Sequence, residues 1–215
     1  MMILRRRENQ MSRQYNEDED KLITWFKENI KNIVYGVIIG LSLILSFQYY
    51  ENSKSNKQYE LSLEYQNVID QYEDSNYKEV IIVSEKFKKN YPTNIYTAMI
   101  GLYEAKIHHE NKEYNKSLNA LDFIINNSQS KEIITIAQIR YARLLVLMNE
   151  QKNAKIFIMS IPYYKNNPLM IEILGDIEYH GNNIIGAKKY YESSLSQNLT
   201  PNKRKIIENK LNSIN

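Results

Sequence analysis

The side chains with the greatest potential for acid–base or metal chemistry are three histidines, His108, His109 and His180. His108 and His109 are adjacent, and neighbours on a helix diverge by about 100°, so they do not converge on one ion. Glu110 follows the pair directly, which is not the i, i+4 histidine spacing of a zinc-protease helix. His180 lies a repeat and a half further along the chain. No serine sits in a nucleophile elbow, and neither a Gly-x-Gly-x-x-Gly run nor a phosphate loop occurs. Cysteine is absent, which excludes thiol catalysis, thiolate metal sites and disulfides. Asp and Glu are abundant, but any helical surface brings carboxylates together, so none is singled out as an acid–base pair. The chain reads as a non-enzymatic protein with no cofactor and no metal.

What remains are side chains suited to holding another polypeptide: Tyr65, Tyr72, Lys106, His109, Arg143 and Tyr179. They matter only if the fold brings them to one face. Beyond residue 50 apolar residues recur with helical spacing, as in Leu61, Tyr65, Val68, Ile69 and Tyr72. Within this pattern a small residue is followed twelve positions later by another: Gly175 and Ala187, Ala142 and Ala154, Ala105 and Ser117. That spacing is the signature of the two-helix tetratricopeptide repeat. The clearest unit runs from Leu174 to Leu195, with Gly181 expected at the turn between its helices. A fainter one begins near Leu61, with Tyr77 opening its second helix and Pro92 closing it, and Lys203 to Ile214 is expected as a terminal capping helix. Stacked pairs curve and present a concave face built from the first helix of each pair, and the six side chains named above are predicted to point into it.

The 215 residues and 25.5 kDa allow one such domain plus an appended segment. Only six Gly and four Pro argue for helices rather than a strand-rich fold. With 28 basic and 25 acidic residues interspersed, the net charge is +3 and there is no basic stripe for nucleic acid. The mean hydropathy of -0.55 conceals segregation. From Ile30 to Tyr50 the chain reads IKNIVYGVIIGLSLILSFQYY, free of formal charge from Ile33 onward. A helix of about 20 such residues spans the hydrocarbon of a bilayer, and Tyr35, Tyr49 and Tyr50 suit its interfaces. The run is too long, and its exit too rich in large residues, for a cleaved signal peptide. Arg5, Arg6, Arg7, Arg13, Lys21, Lys27 and Lys31 before it, against Lys54 and Lys57 after it, predict a cytoplasmic N-terminus and a translocated body. Gly36 and Gly40 form a small-xxx-small pair that is a candidate for helix packing. Asn16 with Glu19 resembles a capping box that starts a helix, and Leu22, Trp25, Phe26 and Ile30 then mark a face for the inner membrane surface. Residues 1–10, MMILRRRENQ, read as a tail, with Met11 as a second candidate initiator. The expected organisation is a cytoplasmic segment 1–29, a transmembrane helix 30–50 and a periplasmic repeat domain 51–215, an all-α fold in which a single membrane helix precedes a tetratricopeptide-like solenoid.

This order resembles the YfgM-like ancillary subunit of the bacterial SecYEG translocon from about Tyr15 to the C-terminus. The resemblance is carried by Tyr15 to Lys21 (YNEDEDK), Trp25 to Asn29 (WFKEN), Gly36 to Gly40 (GVIIG) and Ser62 to Asn67 (SLEYQN). Residues 1–14 depart from the family pattern, and expected repeat alanines are replaced in part by Ile, Asn, Lys and Tyr, a drift that fits a reduced, AT-rich genome such as an insect endosymbiont's. The resemblance implies a non-enzymatic inner-membrane protein that contacts SecYEG and pairs with a membrane-anchored periplasmic chaperone of the PpiD type. It further implies that emerging periplasmic or outer-membrane polypeptides are handed on through contacts of the repeat domain. A membrane-tethered repeat scaffold organising an envelope or division complex is the alternative.

Overall fold

The computed structural model describes residues 2–214, with side chains from Glu19 onward, and every regular element in that range is helical. The chain divides into two units, residues up to Glu60 and residues from Leu61 on.

Helix α1 (Met2–Glu73) contributes all of the first unit. The first glycine is Gly36 and the first proline is Pro92, so nothing early in the chain breaks the helix. Asn16 therefore lies inside α1 and is not an N-cap, and residues 2–10 are helical rather than an irregular tail; the Glu, Arg, Gln and Met that precede Asn16 are good helix formers. An 18-residue window of α1 reaches a mean hydropathy of 1.9 with none of it buried, so the helix is long and apolar enough to cross a membrane. The two serines of its apolar stretch bond within the helix: Ser42 Oγ donates to the Ile38 carbonyl at 2.8 Å and Ser46 Oγ to the Ser42 carbonyl at 2.7 Å. That arrangement suits a solvent without hydrogen-bonding partners. A Cβ added at Gly36 or Gly40 meets nothing within 4 Å, so both glycines lie on an open face.

The second unit starts with the last turns of α1 and continues through α2 (Tyr77–Asn90), α3 (Ile95–Glu110), α4 (Tyr114–Asn127), α5 (Lys131–Leu147) and α6 (Gln151–Ser160). A single 3-10 turn (Tyr164–Asn166) leads into α7 (Pro168–His180), α8 (Ile184–Leu195) and α9 (Pro201–Asn212). Four successive hairpins result, and one turn geometry joins each pair. Ser75, Lys112, Asn149 and Asn182 all take left-handed φ values, 63, 59, 61 and 58°. The next N–H then reaches back five residues, from Asn76 to Gln71 O, Glu113 to His108 O, Glu150 to Leu145 O and Asn183 to Glu178 O, at 2.8–2.9 Å. These bonds satisfy helix-end carbonyls in the manner of a Schellman turn. Gly181, expected to carry the turn, has φ −82°; the left-handed residue is its neighbour Asn182, a type whose short polar side chain tolerates that conformation.

Each turn residue lies seven positions after a buried residue at the crossing of its pair: Val68, Ala105, Ala142 and Gly175, with Val80, Ser117, Ala154 and Ala187 buried on the second helices. At the second hairpin the crossing is tied by Ser117 Oγ donating to the Ala105 carbonyl at 2.7 Å. Around these crossings lie successive apolar clusters: Leu61, Phe87, Ile100 and Ile107; then Leu121, Ile124, Ile133 and Leu144; then Leu145, Ile158, Ile173 and Leu174. The terminal helix α9 lays Ile207 against Ala187 and Tyr191, covering the last hairpin as a cap should. Asn94, Ser130, Asn167 and Asn183 accept N–H bonds at their helix starts, and Pro168 and Pro201 occupy first helical positions, where a missing N–H costs nothing.

Candidate protein-binding groove

The first helices of the hairpins, the end of α1 with α3, α5 and α7, hold every side chain predicted for the groove. Lys106 and His109 stand one turn apart on α3, and Arg140 and Arg143 one turn apart on α5, so each pair shares a face. The two faces border one cavity of about 320 Å³. Its floor is apolar, from Ala105, Leu121, Leu144 and Leu147, and Lys106, His109, Arg140 and Arg143 are its charged or titratable lining; no carboxylate lines it among the described residues. Lys106 Nζ sits 4.8 Å above the Tyr72 ring and 3.8 Å from Glu110 Oε1. The polar contact with Tyr72 holds the Lys106 ammonium above its ordinary pKa against the cost of desolvation, with Glu110 assisting. His109 packs its ring on Tyr114 at 5.8 Å.

The two tyrosines predicted from α1 are half-buried in an aromatic cluster. Tyr65 stacks on Tyr96 at 5.4 Å, and Tyr72 meets Tyr103 at 4.9 Å and Tyr77 at 5.5 Å. Burial, followed by the Tyr103 contact, pushes the Tyr65 hydroxyl above its usual pKa. Tyr179 is 44% exposed, meets the edge of His180 with its ring, and lines neither this cavity nor the one along α7 and α9. The structure thus brings Lys106, His109 and Arg143 together, sets Tyr72 beneath Lys106, and leaves Tyr65 and Tyr179 apart from them.

A second cavity of about 420 Å³ shares Arg143 and Leu147 with the first and continues along α7 and α9. Here Arg143, Glu172, Asp176 and Lys210 form a paired network. Glu172, 3% exposed, accepts from Arg143 Nη2 at 2.7 Å and from Lys210 Nζ at 2.6 Å. Lys210 also reaches Asp176 at 2.6 Å, and Tyr191 donates its hydroxyl to Asp176 at 2.7 Å. Burial by itself raises the Glu172 pKa, but the Lys210 bond and the charges of Arg143 and Lys210 outweigh it and the net shift is downward. Burial and the Asp176 bond push the Tyr191 hydroxyl strongly upward. Sequence reasoning missed Glu172, Lys210 and Arg140. Glu172 left a trace, because a single acid inside PLMIEILG must find a cation when that helix is buried; its partner Lys210 is too distant in the chain to be read from spacing.

His108 is held on a different side, with Nδ1 2.6 Å from Glu113 Oε2 and Nε2 3.9 Å from Glu104, whose carboxylate also takes Ser84 and Lys88. Hydrogen bonds from Lys116 and then from His108 hold the Glu113 carboxyl below its ordinary pKa. No group of three or more His, Asp or Glu able to hold a metal forms among the described residues.

Comparison with known proteins agrees with this architecture. An "Ancillary SecYEG translocon subunit" from Aggregatibacter actinomycetemcomitans is 22% identical over 204 residues, covering 93% of this chain and 99% of the relative. Proteins of the same name from Escherichia coli K12 and Haemophilus influenzae are each 21% identical over 199 residues, covering 93% and 92% of this chain and 96% of either relative. The family model described as a tetratricopeptide repeat-like domain matches residues 24–215, from within α1 to the C-terminus. With four hairpins built on one turn and that match over most of its length, the chain belongs to the tetratricopeptide repeat-like domain family.

Proposed function

We propose that this protein is an ancillary subunit of a SecYEG translocon in the bacterial inner membrane. The observation that carries the reading is the end-to-end similarity to relatives of that name, in which an apolar helix precedes the repeats here as the resemblance requires. In this reading residues 1–29 are cytoplasmic, residues 30–50 cross the membrane and residues 51–215 are periplasmic, an orientation supported by the Arg and Lys excess before Ile33. The protein acts without catalysis: it pairs with a PpiD-type membrane chaperone and helps pass emerging polypeptides to periplasmic chaperones. The first-helix face makes the contacts, with Lys106, His109 and Arg143 at its cavity, Tyr72 beneath Lys106, and Tyr65 and Tyr179 to either side in sequence, and Gly36 and Gly40 offer an open face for a partner helix in the membrane. A groove tethered beside a membrane exit meets emerging chains at high effective concentration, so weak contacts suffice.

Photocrosslinking from the exposed position Tyr179 in intact cells, with a mild-detergent pull-down of the full chain, tests the assignment. Translocon subunits, a PpiD-type chaperone and nascent chains are the expected products. Labelling confined to envelope-assembly or division proteins would refute it in favour of a tethered scaffold. Protease added to spheroplasts should digest the repeat domain; digestion only after cytosolic access would reverse the topology.

A further inference from the structure

We propose that the cavity between α3 and α5 binds an extended peptide segment bearing an Asp or Glu two residues from a large apolar side chain. This rests on the reading that the groove holds polypeptides, and adds which segments it prefers.

The argument begins with unmatched charge. Of the three permanent cations at the cavity, Arg143 is committed to Glu172 at 2.7 Å, and Lys106 stands 3.8 Å from Glu110, beyond hydrogen-bond length. Arg140 has no ion-pair partner within 4.0 Å among the described residues; its recorded bond is a long one, 3.4 Å, to the Leu102 carbonyl. A guanidinium offers five N–H groups in a planar fork that matches a carboxylate. Although the side chain is exposed, the protein around its guanidinium displaces part of its water, lowering its pKa while leaving it charged. An anion arriving at this rim therefore meets a cation whose hydrogen bonds are mostly unmade, with Lys106 and His109 across the cavity.

The floor specifies the second element. Leu121, Leu144 and Leu147 line it, and Leu147 is 52% exposed, an apolar surface left to water inside a concave face. A volume of about 320 Å³ is at the small end of ligand cavities and suits one or two side chains rather than a folded element. In an extended chain, residues i and i+2 project to the same side, roughly 7 Å apart. A segment of the form acid-x-apolar thus presents its carboxylate to Arg140 and its apolar side chain to the leucine floor. The lining holds no carboxylate that would repel such a segment.

The test uses the full chain in nanodiscs and fluorescence anisotropy with end-blocked nine-residue peptides in a Ser/Gly background, carrying Glu at position 4 and Leu at position 6. Replacing that Glu by Gln, or that Leu by Ser, should weaken binding about tenfold, the scale of one charge-assisted hydrogen bond. Arg140→Gln should remove the preference for Glu over Gln, and Arg140→Glu should transfer it to a Lys peptide. Arg140 is exposed and outside the core clusters, so these variants keep the fold, as circular dichroism will verify. Equal binding of Glu and Gln peptides, an unchanged preference in Arg140→Gln, or binding only of peptides with a free C-terminal carboxylate would overturn the proposal. The same samples report on the broader reading. If an unfolded polypeptide binds wild type and Arg140→Gln equally, the acid-x-apolar preference is wrong while polypeptide capture stands; loss of translocon crosslinks fails the functional assignment alone.

Discussion

Replacing Gly175 by Ala separates two effects of opposite sign. In an exposed helix interior the change gains about 1 kcal/mol of propensity. At Gly175, however, the new methyl would lie 2.5 Å from Cε1 and 2.6 Å from Cδ1 of Tyr191, where carbon atoms prefer about 3.5–4.0 Å. The ring has nowhere to retreat: Tyr191 is 2% exposed and its hydroxyl is anchored on Asp176 at 2.7 Å. Overpacking of this kind costs about 1–3 kcal/mol, which cancels the propensity gain at its lower end and leaves a net loss of up to about 2 kcal/mol, or up to about 8 °C in Tm for a unit of this size. Thermal unfolding of the full chain in mild detergent, followed by far-ultraviolet circular dichroism, measures it. Adding Tyr191→Leu to Gly175→Ala should reverse the sign of the alanine effect, since the ring is the obstacle. Gly101→Ala is the comparison: its Cβ would approach Cδ1 and Cγ1 of Ile124 at 3.1 Å, a contact relieved by a shift of a few tenths of an ångström, so it should cost less than Gly175→Ala. A Gly175→Ala protein that melts above wild type would refute the claim that the Tyr191 ring dictates glycine here.

Three further outcomes follow from the same geometry. Because the Glu172 carboxyl is lowered on balance, it stabilises the fold above the unfolded value near 4.3 and loses that contribution as pH falls through its lower folded value; in urea unfolding, the advantage of wild type over Glu172→Gln should be largest near neutrality and shrink in acid. Lys112 carries a left-handed φ of 59° that Asn149 and Asn182 tolerate better at the equivalent turns, so Lys112→Gly should raise stability by about 0.5–1 kcal/mol while Asn182→Gly changes little, by the same melting assay. Ser117 is 2% exposed where α3 and α4 cross and bonds the Ala105 carbonyl, so Ser117→Leu should cost about 2–4 kcal/mol through overpacking and the lost bond, whereas Ser117→Ala should cost about 1 kcal/mol.

The pairs Ala105 with Ser117, Ala142 with Ala154 and Gly175 with Ala187 mark three hairpins in the sequence itself, because close helix crossings admit few residue types. The first hairpin was fainter because its crossing is filled by Val68 and Val80, both fully buried, and a search for small residues passes over valine. The turns were harder still. Their shared backbone bonds repeat at Ser75, Lys112, Asn149 and Asn182, yet no residue type is common to the four, and Gly181, the residue whose type points to a turn, sits beside the left-handed position and not on it. The capping box at Asn16 failed for a related reason: a local signature competes with the propensity of the residues before it, and those residues are helical. In the groove, spacing placed Lys106, His109 and Arg143 on one face, but not the partners that decide which of them is free. That depends on Glu172 and Lys210, an ion pair across 38 residues of chain.

That separation between a repeated backbone and an unrepeated surface has a functional consequence. The residues one and four places after each crossing residue are Ile69 and Tyr72, Lys106 and His109, Arg143 and Val146, then Asp176 and Tyr179. One register therefore presents an aromatic face on the first helix, a cationic face on the second and third, and an acid on the fourth that Lys210 of α9 neutralises. The crossings and turns beneath are satisfied independently, by buried small residues and by main-chain bonds. Substitutions at Lys106 or His109 can then retune what the groove holds without touching the crossings, whereas Arg143 and Asp176 are tied to Glu172, Lys210 and Tyr191, and substitutions at Val68, Ala105, Ala142 or Gly175 change the stacking itself. Among the described residues, the cation of the first cavity without an ion-pair partner is Arg140, while the capping helix supplies Lys210 to the acids Glu172 and Asp176 and tyrosines gather around the first hairpin.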